Sequence, residues 1–431
     1  MSQKDLKEYI IGNKNKNILN SFLQEDFFEA LKNYQLNDSA TSQKTEILEK
    51  EVNKQKVVYY INEFWTSKQR QASSLHEISY RACFKPQLPR FFINRLTRPR
   101  EIIYDPFSGR GTTIIEGALL RRQIILNDIN PLSEILARPR LELPTVDEIK
   151  KRLEEINLSG IKDASIDLSM FYHEKTLVEL NSLRDYLKKK KEAKGEDEID
   201  RWIRMVATNR LTGHSKGFFS VYTLPPNQAV SAKRQLKINE QRQQKPEYRN
   251  IKKLIVKKSK SLQRNIEEKE KQNLRTVSET AKYYQDPADQ TVEIKNETVS
   301  LTITSPPFLD IVQYAQDNWL RCWFNDIDAE EIGKKITMAR TIEEWNSIMG
   351  KVFFELYRIT KPRGWVAFEV GEVRNKKVKL EEEVVPLGIE AGFNCKGILI
   401  NSQVFTKTAN IWGIDNNKKG TNTNRIVLFR K

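Results

Sequence analysis

The sequence predicts an α/β protein. A mainly parallel sheet is interrupted by a long, basic, mostly helical insertion between its second and third strands. Three observations carry this. EIIYDPFSGRGTT (101–113) is a short apolar strand running into a glycine-containing turn. It is followed by the helical pattern IIEGALLRR and a second apolar strand, QIILNDIN, which together make a β-turn-α-β unit with a right-handed crossover. TVSLTITSPPF (298–308) and GWVAFEVGEV (364–373) are further apolar runs of the kind that a sheet buried on both faces requires. Between the two groups, residues 145–277 are charged and largely helical in pattern.

The remaining elements follow in chain order. Residues 1–75 are polar and read as a helical N-terminal region, with apolar positions at Ile18, Leu19, Phe22, Leu23, Phe27 and Phe28. The sheet domain is expected over 76–144 and 278–431. ETAKYYQD (279–286) reads as its third strand, with helices near 316–324 and 343–360. GFNCKGILINSQVF and NRIVLFRK read as a terminal pair of strands. No internal repeat is visible.

Composition bounds the function. The 431 residues, 39% of them hydrophobic, suffice for two or three cored domains. No run of eighteen apolar residues exists and the N-terminus does not read as a secretory signal, so neither a membrane span nor secretion is expected. Cys83, Cys322 and Cys395 are far apart and His76, His173 and His214 are scattered. No disulfide framework and no metal site are expected, and the pattern fits a cytoplasmic protein. The net charge is +16, and residues 201–275 hold 19 Lys or Arg against five Asp or Glu. So concentrated a surplus is the footprint of a polyanion partner, although a solvated helical surface would look similar. Phe218, Phe219 and Tyr222 within it suit a base-stacking surface, or simply a core. His214 could meet a phosphate.

Two constellations carry chemistry. Asp105, Gly109 and Gly111 stand at a strand-to-helix turn, where glycine lets backbone approach a ligand and the helix start offers free N–H groups. Asp128 ends the next strand, nineteen residues after Gly109, the usual place for an acid that holds ribose hydroxyls. An N-cap ahead of Pro131 is the competing role. The second constellation is Ser305-Pro306-Pro307-Phe308 at the end of a strand. The hydroxyl and the Pro306 carbonyl can accept from an exocyclic amine, the prolines fix the bend, and the ring can stack on a base. Asp310 and Tyr314 could line the same pocket. Cys322 reads as a core residue.

DPFSGRGTT and TSPPF resemble motifs I and IV of the S-adenosylmethionine-dependent DNA amino-methyltransferases, and the Ser-Pro-Pro-aromatic form resembles the cytosine-N4 branch. The resemblance implies a Rossmann-like methyltransferase sheet and S-adenosyl-L-methionine as cofactor. FKPQLPRFFI (84–93) matches motif X, placing Phe84, Lys85 and Pro86 against the methionine part of the cofactor. Asp105, Pro106, Phe107, Gly109, Gly111 and Thr112 match motif I, Asp128 motif II, and Asp286 motif III near the adenine. KPRGWVAFEVGEV resembles motif VI. Ser305, Pro306, Pro307 and Phe308 are the implied catalytic residues.

The implied activity is methylation of cytosine N4 in double-stranded DNA with the target base flipped out, as the modification half of a restriction-modification system with a cognate endonuclease. Adenine-N6 methylation of DNA is the nearest alternative. An RNA or tRNA base methyltransferase and a non-catalytic nucleic-acid binder stand further off. No cysteine lies in a Pro-Cys context, which disfavours covalent attack on the cytosine ring. Arg110 between the glycines, and Phe308 in place of the more frequent Tyr, depart from the family pattern. The basic insertion is the candidate for DNA recognition by its charge alone.

Overall fold

The structure is a computed structural model that describes residues 24–35, 44–65, 72–80, 83–160, 166–224, 229–307, 314–336, 339–373, 378–402 and 423–431. Its strands are β1 (Glu46–Val52), β2 (Gln55–Asn62), β3 (Ile102–Asp105), β4 (Gln123–Asn127), β5 (Lys282–Tyr284), β6 (Val299–Thr304), β7 (Thr360–Val370), β8 (Glu372–Val373), β9 (Val378–Lys379), β10 (Asn394–Ser402) and β11 (Thr423–Arg430). The helices before the insertion are α1 (Gln24–Lys32), α2 (Gln87–Leu96), α3 (Thr112–Leu119), α4 (Leu132–Ala137) and α5 (Pro139–Glu142). Those of the insertion are α6 (Val146–Glu155), α7 (Glu174–Glu192), α8 (Glu198–Arg210), α9 (Ala232–Gln241), α10 (Ile251–Leu262) and α11 (Glu268–Ser278). Beyond it come α12 (Tyr314–Phe324), α13 (Ala329–Lys335), α14 (Ile342–Ile359) and α15 (Leu380–Glu390).

Nine strands form one sheet in the order β1-β2-β10-β11-β7-β6-β3-β4-β5. The run β5-β4-β3-β6-β7 is parallel throughout, and β11 inserts antiparallel between β7 and β10. Counted from β3, the parallel strands are ordered 3-2-1-4-5, so the connections reverse direction between β3 and β6. That reversal opens a crevice at the C-terminal ends of those strands, where Rossmann-like sheets hold their ligands. Alternate residues feed opposite faces. Tyr104, Val366, Phe368 and Phe429 pack with α14 and α15, whereas Ile103, Leu301, Ile303 and Ala367 pack with α1 and α2. All six residues of β6 are buried, which explains its unbroken apolar pattern.

The N-terminal expectation is corrected in part. Ile18, Leu19, Phe22 and Leu23 lie outside the described residues, and α1 is helical, but 46–62 is a β-hairpin rather than helix. Asn53 and Lys54 make its two-residue turn with φ of 48° and 64°. The hairpin joins the sheet because β2 pairs parallel with β10, for example Ile398 with Tyr59. The partner strand is more than three hundred residues away, so no local pattern announces it.

The insertion between β4 and β5 is helical as expected, and it is packed rather than appended. Trp202, Ile203, Val206, Ile255 and Leu274 share one core cluster with Ile114, Ile115 and Ala118 of α3. Residues 73–80 form a strap across the seam. Ser74 Oγ donates to the Leu262 carbonyl at 2.7 Å, Asn209 Nδ2 donates to the Ser79 carbonyl at 2.9 Å, and Glu77 pairs with Arg264. Phe219 is buried in this core and Phe218 is buried under the Arg210 guanidinium, so neither ring is presented as a base-stacking surface.

Candidate active site

The site begins at the turn after β3. Gly109 (φ 53°) and Gly111 (φ 77°) adopt left-handed backbone, and Gly111 caps the start of α3. A Cβ on Gly111 would sit 2.6 Å from the Cβ of Ala137, so close helix packing as well as φ demands glycine there. Arg110, the departure from the family pattern, points away from the turn's open side. Its Nη1 donates to the His76 and Ile78 carbonyls at 3.2 and 3.0 Å, and its Nε donates to Thr112 Oγ1. It thereby staples the strap to the turn. Arg140 beneath it donates to the Leu75 carbonyl and is fully buried, and burial beside Arg110 pushes its pKa down to about 9.

Asp128 Oδ2 accepts the Gly109 N–H at 2.7 Å, and Oδ1 accepts the Asn130 N–H at 2.9 Å. The helix cap ahead of Pro131 is supplied instead by Asn130, whose Oδ1 accepts the Leu132 N–H at 3.1 Å, while the Asp128 carboxylate closes a turn at Asn130 and faces the crevice. Two acceptor positions remain on its oxygens. Burial pushes its pKa up to about 6. Asp105 is placed differently: it is 1% exposed, under the turn, and accepts from Thr304 Oγ1 at 2.6 Å and from the Phe107 N–H at 3.2 Å. Burial raises its pKa to about 7 against those bonds. It ties the glycine turn to the end of β6 rather than lining the cleft.

One cleft, of about 780 Å³ including its open mouth, gathers the motifs. Pro106 and Phe107 from the turn, Asp128 and Ile129 after β4, Asp286 to Asp289 after β5, and Pro307 all line it. Loops separated by almost two hundred positions converge there. The opposite wall is Lys335, Ile336, Trp345, Ile348, Met349 and Val352, none of which belongs to a sequence motif. Trp345 Nε1 donates to the Pro307 carbonyl at 3.0 Å, fixing the double-proline corner. Asn127 was also missed by the sequence reading. Its side chain accepts the Asp286 N–H and donates to the Asp286 carbonyl, both at 3.0 Å, locking the third-strand loop to the second.

Phe84 packs partly buried beside the α1–α2 cluster, and Pro86 precedes α2. Lys85 lies near Arg110, and burial together with that neighbour lowers its pKa. None of these three lines the cleft. Phe308 and Asp310 lie outside the described residues, as does the side chain of Tyr314. Cys322 is buried in α12 and burial pushes its thiol up to about 11, in keeping with a core role.

Residues 4–136 match the N6/N4 methyltransferase family model, described as DNA methylase. Over these residues the chain is similar to the N4/N6 amino-methyltransferase family. The match includes motifs X, I and II and ends before the double-proline corner. Two curated relatives are similar over the same scale. The type II methyltransferase M.MjaII of Methanocaldococcus jannaschii is 31% identical over 103 residues, 24% of this chain and 19% of the relative. The type II methyltransferase M.MvaI of Kocuria varians is 27% identical over 128 residues, 29% of this chain and 25% of the relative. The chain therefore spans a quarter or less of the length of these relatives. Among solved structures, an rRNA methyltransferase (aviRa) of Streptomyces viridochromogenes overlaps 85% of this chain and 91% of its own, at 10% identity and a TM-score of 0.33, a likeness too weak to carry an argument.

S-adenosyl-L-methionine is the cofactor that the family match implies for this domain. The donor set suits it: apolar walls at Phe107, Ile129, Pro287 and Ala288 for a purine, and an acceptor-only carboxylate at Asp128 for ribose hydroxyls. Among the described residues no group of three His, Cys, Asp or Glu side chains could hold a metal ion, and no helix is long and apolar enough to cross a membrane.

Proposed function

We propose that the protein methylates the exocyclic N4 amine of cytosine in double-stranded DNA, as the modification enzyme of a restriction-modification system. The observation that carries this reading is the single cleft shared by the glycine turn, Asp128, Asp286 and Pro307. In it, Asp128 holds the ribose and Phe107, Asp286 and residues 287–288 border the adenine; Gly109, Gly111, Thr112, Phe84, Lys85 and Pro86, which stand off the wall of this cleft, are assigned to the methionine part on their motif positions. When bound, the cofactor supplies an electrophilic methyl group on a sulfonium sulfur.

The amine of cytosine is a weak nucleophile because its lone pair is delocalised into the ring. Ser305 Oγ and the Pro306 carbonyl accept its two protons and favour a more tetrahedral nitrogen. Trp345 already occupies the Pro307 carbonyl, leaving the Pro306 carbonyl as the corner's acceptor for the substrate. Orientation of this kind can contribute about 7–11 kcal/mol. Phe308 is assigned the stacking role on its motif position. Extrusion of the base from the duplex costs a few kcal/mol, offset by stacking and edge contacts.

The insertion supplies the phosphate-binding surface in this reading. On α10, Lys253, Lys257 and Lys260 are exposed and share one helical face. Lys252 instead donates to the Ile156 carbonyl at 2.7 Å. Lys258 is largely buried beside Arg210 and Glu77, and burial lowers its pKa to about 8. The test is nucleoside mass spectrometry of unmethylated genomic DNA incubated with the protein and labelled cofactor, with RNA in parallel. N4-methylcytosine in DNA supports the proposal. N6-methyladenine alone moves the target base, and label in RNA alone moves the substrate.

A further inference from the structure

We propose that Glu369 fixes the hydrogen-bond polarity of Ser305, so that the corner accepts from an amine and rejects a keto oxygen at the same ring position. The inference rests on the amino-methyltransferase reading of the site and deepens it.

The sheet register makes the pair. β6 and β7 are parallel neighbours, with Thr304 opposite Phe368, so the next positions along the two strands are Ser305 and Glu369. That register stands the two side chains next to each other on one face of the sheet, where the serine hydroxyl can donate to the carboxylate. From the other side β11 brings Asn424, whose Nδ2 donates to Glu369 Oε1 at 3.0 Å. Glu369 is 7% exposed, a buried acid at the end of the strand bordering the catalytic corner. Burial raises its pKa above the ordinary carboxylate value, and the bonds from Ser305 and Asn424 hold it down.

A carboxylate can only accept. With Glu369 ionised, the single hydroxyl proton of Ser305 is committed to it, and the remaining Oγ lone pairs are all that the corner can offer to a base. An exocyclic NH₂ supplies the matching donors. The carbonyl at the same position of uracil or thymine supplies none, and would leave two acceptors facing each other in a dry site, which is strongly unfavourable. Without Glu369 the serine hydroxyl could rotate and donate, and the discrimination would weaken. Glu369 thus acts through Ser305 as a positioning residue. The device separates amino from keto bases and does not separate cytosine from adenine.

Glu369→Gln keeps the shape and changes the polarity. Because Asn424 donates toward Oε1, the new amide oxygen is drawn to Asn424 and its NH₂ turns to Ser305 Oγ, forcing the serine proton outward. The experiment uses the full chain and a duplex bearing the target site found by mapping the wild-type product. Wild type, Glu369→Gln, Ser305→Ala and the double variant are compared by kcat and KM. Binding is measured for S-adenosylhomocysteine and for the same duplex with uracil at the target position. The inference expects Glu369→Gln to lower kcat at least tenfold with KM within twofold. It also expects unchanged S-adenosylhomocysteine affinity, a relative gain in uracil-duplex binding, and a double variant no slower than Ser305→Ala. Wild-type kcat in Glu369→Gln, or losses that multiply in the double variant, would overturn it. If Glu369→Gln does not fold, Asn424→Ala leaves the acid but frees Oε1, and a several-fold loss of kcat at constant KM is then expected, with no loss counting against. A wild type that methylates no amine in any nucleic acid defeats the proposed function itself, and this inference with it.

Discussion

Replacing Asp105 by Asn should make the fold's stability less dependent on pH, by an amount that follows from where the carboxyl sits. Asp105 is 1% exposed and its pKa stands at about 7 against an ordinary 3.8, burial being the main cause. A carboxyl raised on folding contributes stability that is complete below its unfolded pKa and is lost as pH rises through the folded one. At about 1.4 kcal/mol per pH unit, wild type should lose roughly 3 kcal/mol from this group between pH 5 and pH 8. Asn retains an oxygen that can accept from Thr304 Oγ1, and does not titrate. Urea unfolding at both pH values should therefore show the stability of Asp105→Asn relative to wild type rising by about 2–3 kcal/mol on going from pH 5 to pH 8. Asp128, also raised, titrates in both proteins and largely cancels. A difference between the two proteins that is the same at pH 5 and pH 8 would refute the placement of Asp105 as a buried tie between the turn and β6.

Five other outcomes are expected. Asp128→Ala should weaken S-adenosylhomocysteine binding by at least tenfold in calorimetry while DNA affinity is unchanged; equal cofactor affinity would remove Asp128 from the ribose. Gly111→Ala, with φ at 77° and the new Cβ 2.6 Å from Ala137, should cost about 2–4 kcal/mol in thermal unfolding. Gly109→Ala, whose nearest neighbour is Tyr80 at 3.6 Å, should cost only about 1–2 kcal/mol. Replacing Lys253, Lys257 and Lys260 together by Glu should weaken DNA binding and flatten the plot of log affinity against log salt by about 2–3 in slope. The same change at Lys252 and Lys258 should instead lower stability, since those ammonium groups serve Ile156 and the seam.

The sequence by itself determined the β3-turn-α3-β4 unit, its positive-φ glycines, the acid after β4 and the strand that ends in Ser-Pro-Pro. Each of these is set by residues within a few positions of one another, so turn chemistry and short apolar runs suffice to read them. The charge surplus of the insertion was equally legible, but not which lysines carry it outward, because Lys252 and Lys253 differ only in the helical face that packing selects.

Tertiary structure alone decided that Thr304 meets Asp105 across 199 residues, that α13 and α14 close the cleft with Trp345, and that the 46–62 hairpin extends the sheet. It also set Glu369 between Ser305 and Asn424. Those contacts follow from the register of strands distant in the chain. Register is fixed by the summed burial of whole strand faces, a quantity that no local stretch of sequence contains.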